Sequence, residues 1–120
     1  MLTRGEILTF KRLFKHGKEH EIIGFILQHN IDVNSCPLGT HLIFSAIQAE
    51  MFELFIFIIN HKDFDPNVKS FYGHSIIKFI LGEYKIGEIF NPINLRKKSN
   101  PMRKFYYRYV NWLKNNDSIC

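Results

Sequence analysis

Six histidines, eleven carboxylates and two cysteines are the residues of this 120-residue chain able to carry acid–base, nucleophilic or metal chemistry, so their spacing comes first. His16 and His20 are four apart, the separation that sets two imidazoles on one helix face. Gly17 lies between them where a helix is expected to stop, and no shared metal site is expected there. His29 and His61 fall at the ends of apolar helical runs, where a donor can satisfy terminal carbonyls and a positive charge suits the helix dipole. The carboxylate pairs Glu19 with Glu21 and Asp63 with Asp65 lie in a helix start and a turn, which capping and local charge explain. No His-Glu-x-x-His, Cys-x-x-Cys, phosphate-cradling glycine loop or Gly-x-Ser-x-Gly occurs. Cys36 and Cys120 fit neither a disulfide framework nor a redox pair and read as free thiols. The expectation is a chain that does not catalyse and holds no metal or cofactor.

The elements that position these residues are helical. At 46% hydrophobic residues, the chain has the size and composition of one domain, residues 1–120, with a single core. The longest apolar run, Met51 to Ile59, is about half of the roughly 20 residues a membrane span requires, and the N-terminal residues carry no secretory pattern. An intracellular, cytoplasmic location is the expectation. Thr3 with Glu6 makes a capping box, after which Ile7, Phe10, Leu13 and Phe14 recur at helical spacing, predicting a helix over 4–16. Glu19 to His29 predicts a second, with Ile22, Ile23, Ile26 and Leu27 as its apolar face. Met51, Phe52, Leu54, Phe55, Ile58 and Ile59 leave so little polar surface that neighbours must enclose their helix on several sides. Ser99-Asn100-Pro101 starts a last helix with Met102, Phe105, Tyr106, Tyr109 and Leu113 on one stripe and Lys104, Arg108, Asn111 and Asn115 opposite, with Arg103 alongside.

Charge is segregated along the chain. Residues 1–88 hold nine Lys or Arg against ten Asp or Glu, whereas residues 89–120 hold seven basic residues against Asp117 alone, so the net charge of +5 comes from the last quarter. Arg96, Lys97, Lys98, Arg103, Lys104 and Arg108 form a basic patch. It would steer an acidic partner, nucleic acid or an anionic surface, or serve only as a solvated helix face.

Internal repetition is the strongest pattern. Phe25-Ile-Leu-Gln-His-Asn-Ile-Asp-Val-Asn34 returns as Phe57-Ile-Ile-Asn-His-Lys-Asp-Phe-Asp-Pro-Asn67, with Asp32 mapping to Asp65 and Asn34 to Asn67 at 33 residues, and Gly39 to Gly73 at 34. A period of this length marks a stacked helical array. The residues Asp32-Val33-Asn34, then Gly39-Thr40-His41-Leu42-Ile43-Phe44-Ser45-Ala46-Ile47, then Glu53-Leu54-Phe55-Ile56-Phe57-Ile58-Ile59, resemble the turn, first helix and second helix of an ankyrin repeat. Glu21 to Leu27 matches the second helix of a preceding unit, and Gly73 to Leu81 the first helix of a following one, so the resemblance covers about residues 18–90. The family's Thr-Pro-Leu-His signature departs from pattern: His41 and Ser75 stand at its threonine, Leu42 and Ile76 at its proline, Phe44 and Lys78 at its histidine. The hydroxyl that caps the first helix is thus lost once and kept once.

The resemblance implies an all-α, short ankyrin-like stack of helical hairpins: an N-terminal capping hairpin over 1–34, a repeat over 35–67, a partial repeat over 68–95 and a basic capping helix over 96–120. It also implies a protein-binding face on the turn tips and first helices. That points to Leu38, Thr40 and His41 with Ser35 and Pro37 in one tip, and to Lys69, Phe71, Tyr72 and His74 with Ser70 in the next. An exposed Phe71–Tyr72 pair would be the natural anchor, unless the rings fold back over the neighbouring unit. The competing expectation is nucleic-acid association through the aromatic, basic C-terminal segment, where helical spacing leaves mainly Tyr107 and Trp112 free to stack. The Ile, Phe, Lys and Asn bias is that of an AT-rich gene, and so small an ankyrin-like protein would suit a viral or phage factor that occupies a host protein in its cytoplasm.

Overall fold

The computed structural model describes residues 2–82 and 102–116, which form six helices and, among the described residues, no strand. These are α1 (Arg4–Lys15), α2 (Glu19–Gln28), α3 (Leu42–Gln48), α4 (Phe52–Ile59), α5 (Ile76–Gly82) and α6 (Met102–Asn115). No helix among the described residues is long and apolar enough to cross a membrane.

Local chemistry sets most of the boundaries. At the start of α1 the predicted capping box is formed: Thr3 donates its N–H to Glu6 Oε1 at 2.7 Å, and Thr3 Oγ1 accepts from the Glu6 N–H at 3.1 Å. The helix ends through Gly17, in the left-handed region at φ 64°, which lets the Lys18 N–H reach back to the Leu13 carbonyl. Thirty-three residues on, α3 ends the same way: Glu50 takes φ 57° and the Met51 N–H reaches the Ala46 carbonyl. The period read from the inter-hairpin turns therefore also governs the turns inside the hairpins.

Consecutive helices pack as α1 on α2, α3 on α4 and α5 on α6, while α2 lies on α4, α4 on α6 and α3 on α5. α4 is thus covered by three helices, as its near absence of polar residues requires, and Leu54, Phe55, Ile58 and Ile59 are fully buried. Phe55 meets Phe105 edge-on at 5.1 Å between ring centres, Phe44 meets Phe79 at 4.8 Å, and Phe10 stacks on Phe25 at 5.2 Å.

Polar links between units follow the same period. The Asn34 side chain donates from Nδ2 to the Asp63 carbonyl at 2.7 Å and accepts the Asp65 N–H on Oδ1 at 2.9 Å. Glu19 Oε2 accepts the Leu54 N–H at 2.7 Å, capping α4, which has no side-chain cap of its own at Met51. His20 Nε2 stands 3.1 Å from Glu53 Oε2, an exposed pair of little energetic weight.

Three expectations are corrected here. Leu27 is 64% exposed, and Phe25 packs against the core in its place, because Phe10 of α1 draws that side of α2 inward. Leu113 is likewise on the surface, while Trp112 is half-buried, edge-on to Phe64 at 5.3 Å and stacked on Tyr109 at 5.8 Å. His29 and His61 do not use their rings on terminal carbonyls. His29 Nδ1 lies 3.1 Å from Glu6 Oε2 with its ring against Phe25, and His61 Nδ1 accepts the Asp63 N–H at 3.1 Å.

Candidate interaction surface

Both turn tips are built by the same backbone device. In the first, the Gly39 N–H closes on the Cys36 carbonyl at 3.1 Å; in the second, the Gly73 N–H closes on the Ser70 carbonyl at 2.9 Å. The glycines sit at φ 92° and 81°, a region that β-carbon sterics close to most other residues. Pro37 and Leu38 are therefore the central pair of one four-residue turn, and Phe71 and Tyr72 the central pair of the next. The second turn is tied further by the Ser70 N–H to the His74 carbonyl at 2.9 Å and by the His74 N–H to Ser70 Oγ at 3.1 Å.

The two pairs differ in burial. Leu38 packs against the core, whereas Phe71 and Tyr72 are 85% and 79% exposed and meet edge-to-face at 5.2 Å. Neither ring folds back over the neighbouring unit. Lys69 beside them is exposed; Thr40 and His74 are half-buried. His41 is also half-buried, and its ring is committed: the Asn34 carbonyl, which can only accept, lies 2.6 Å from Nδ1, so Nδ1 carries a proton and donates it. No side-chain hydrogen bond caps α3 at His41, so the cap a threonine would give is absent there. Ser75 keeps the hydroxyl and accepts the Lys78 N–H at 3.2 Å in the first turn of α5. Cys36 is exposed and unpaired.

On α6, Met102, Phe105 and Tyr109 are buried against the rest of the fold, and Lys104 and Arg108 are exposed. Lys104 Nζ sits over the Phe52 ring at 5.0 Å, and the half-buried Arg103 sits over Tyr107 at 5.7 Å. Burial, with Asp65 nearby, pushes the Tyr109 phenol well above its ordinary range, so it is neutral at physiological pH. Arg96, Lys97, Lys98 and the Ser99-Asn100-Pro101 start lie outside the described residues, as does the stretch 83–95 of the expected partial repeat. Trp112 is half-buried against Phe64, and among the described residues of this face Tyr107 is an exposed aromatic ring.

Among the described residues no group of histidine, cysteine and carboxylate side chains is arranged to hold a metal. The sequence reading missed the Asn34 bridge and the Glu19 cap. The 33-residue recurrence of Asn34 at Asn67 was the available signal for the first; Glu19 gave none, because its acceptor role depends on which helix start packs beside it. The chain matches no protein-family model, no curated protein and no solved structure.

Proposed function

We propose that this chain is an ankyrin-like interaction module that binds another protein through its turn tips, with Phe71 and Tyr72 as the anchor. The order of helix packing supports the ankyrin-like part: hairpin partners and like-placed helices of successive units are the pairs in contact. The observation that carries the binding part is the exposure of two large aromatics at the centre of a turn that three hydrogen bonds hold closed. Such rings gain nothing for the fold, yet covering each with a partner's surface is worth about 1.5–3 kcal/mol. A rigid turn also spares the ordering cost of a mobile loop.

Affinity capture with crosslinking from the native host, comparing the chain with its Phe71→Ala, Tyr72→Ala double variant, tests this. Loss of a nuclease-resistant protein partner in the double variant, with unchanged circular dichroism, is the expected result. Capture of nucleic acid alone, steeply weakened by salt and indifferent to the double substitution, would overturn the reading.

A further inference from the structure

Residues 1–88 are close to neutral in sum, yet the fold sorts their charges by helix face. On α1 the apolar side, with Phe10 fully buried and Leu13 and Phe14 packed beside it, is turned to the core. Arg4, Leu8, Lys11, Arg12 and Lys15 are all exposed. Arg4, Leu8, Lys11 and Lys15 follow a four-three-four spacing, so they form one seam along about 16 Å of the helix, with Arg12 flanking it. None of these four cations has an ion pair with the described residues.

The carboxylates nearest in the chain are held elsewhere. Glu6, the acidic residue of α1, caps Thr3 through Oε1 and stands 3.1 Å from His29 Nδ1 through Oε2. Glu19 at the start of α2 accepts the Leu54 N–H of α4. Glu21 is exposed and pairs with no cation among the described residues. The fold itself gains little from the seam. Arg12 and Lys15 in the last turn suit the helix dipole, but Arg4 at the first helical position opposes it, and Lys11 repels Lys15 one turn on. Leu8, 54% exposed in the middle of the seam, lies outside the core.

The shape of the seam selects its occupant. A helix that enters the major groove of DNA meets phosphates on both of its flanks, whereas here the cations lie within about 100° of arc with Leu8 among them. Single-stranded nucleic acid needs rings on which its bases stack, and the exposed residues of α1 include no aromatic. An anionic bilayer favours a broad apolar face, and that face of α1 is turned to the core. A second helix laid along α1 meets every seam position at the same spacing, with carboxylates against the cations and an apolar side chain against Leu8.

We propose that the exposed face of α1 is a second docking surface, which receives an acidic amphipathic helix of a partner protein with an apolar residue seated on Leu8. This goes beyond the aromatic tip and does not depend on it: α1 packs on α2, whereas the Phe71–Tyr72 turn leads into α5.

The test titrates the whole chain, at low ionic strength, with an acetylated and amidated alanine-based helical peptide carrying three glutamates and one leucine at the four-three-four spacing. Binding is read from the Leu8 methyl resonances and the backbone amides of α1. A scrambled isomer of the peptide, a short single-stranded oligonucleotide and phosphatidylserine vesicles are the comparisons. The expected result is a saturable shift confined to α1 with the patterned peptide and a weaker one with its isomer. Leu8→Ala should weaken binding about tenfold, as covering a half-exposed leucine implies. Arg4→Gln with Lys11→Gln should weaken it about fivefold without lowering Tm, since these charges do not stabilise the helix. Equal binding of the scrambled isomer, unchanged affinity in Leu8→Ala, or α1 shifts at lower concentration from the oligonucleotide or the vesicles would each overturn the proposal. Peptide binding that survives Phe71→Ala with Tyr72→Ala supports the α1 surface whatever becomes of the tip; binding lost in that variant would place the peptide on the tip and overturn it.

Discussion

Asn34 and Asn67 offer a matched pair of perturbations: the same residue type, in equivalent turns, 33 residues apart, with one amide engaged and the other making no hydrogen bond to the described residues. Asn34→Ala removes hydrogen bonds of 2.7 and 2.9 Å to the Asp63 carbonyl and the Asp65 N–H. A neutral hydrogen bond contributes about 1 kcal/mol net. Both partners belong to exposed residues, so water recovers part of the loss and no full desolvation penalty is added. The expected destabilisation is about 2 kcal/mol, or roughly 8 °C in Tm for a chain of this size. Asn67→Ala, which leaves the backbone bond to Asp65 intact, is expected within about 0.5 kcal/mol of the parent. Urea denaturation followed by circular dichroism, with thermal melts alongside, measures both. Equal losses at the two positions would refute the reasoning, since the turns would then be stabilised by their local Asx geometry alone and not by the bridge to the next unit.

Three further expectations follow from the same contacts. Glu50 holds φ 57° at the end of α3, where glycine avoids a penalty of about 1–2 kcal/mol against its own greater unfolded entropy, so Glu50→Gly should stabilise by about 0.5–1 kcal/mol in urea titrations; destabilisation would contradict the assigned turn. Glu19→Ala should cost about 1 kcal/mol, because the Leu54 N–H at the start of α4 loses its acceptor, and amide exchange at Leu54 should quicken while exchange in α1 does not. The raised Tyr109 ionisation means that the folded chain holds a proton the unfolded chain releases near pH 10. Its contribution is complete below that value and is lost as pH rises, so the urea midpoint should fall between about pH 9 and 11, and Tyr109→Phe should flatten that fall.

The capping box of α1, the glycine stop at 17 and the turn positions of Gly39 and Gly73 all close within a few residues, so composition and spacing were enough to read them; the Asx contacts at Asp32 and Asp65, matched only as repeat positions, emerged with the structure. The 33-residue period was legible for the same reason: repeated local geometry needs repeated residues. What spacing could not fix was the direction each helix faces. Leu27 and Leu113 lie on plausible apolar stripes, but Phe25 and Trp112, one or two positions away, carry more area to bury, and the neighbouring Phe10 and Phe64 decided the rotation. The Glu19 cap likewise depends on a helix start 35 residues away.

The sequence by itself determined that this is a helical chain whose turn residues recur at 33 positions and whose positive charge is gathered in its last quarter, because those properties are carried by residue type and local hydrogen bonding. Only the tertiary structure decided that Leu38 and Tyr72, placed alike in their turns, are half-buried and exposed respectively, and that of two equivalent asparagines one is bonded across to the next turn while the other makes no such bond to the described residues. Those differences depend on whether another part of the chain lies within hydrogen-bonding or van der Waals reach, and no local pattern records that.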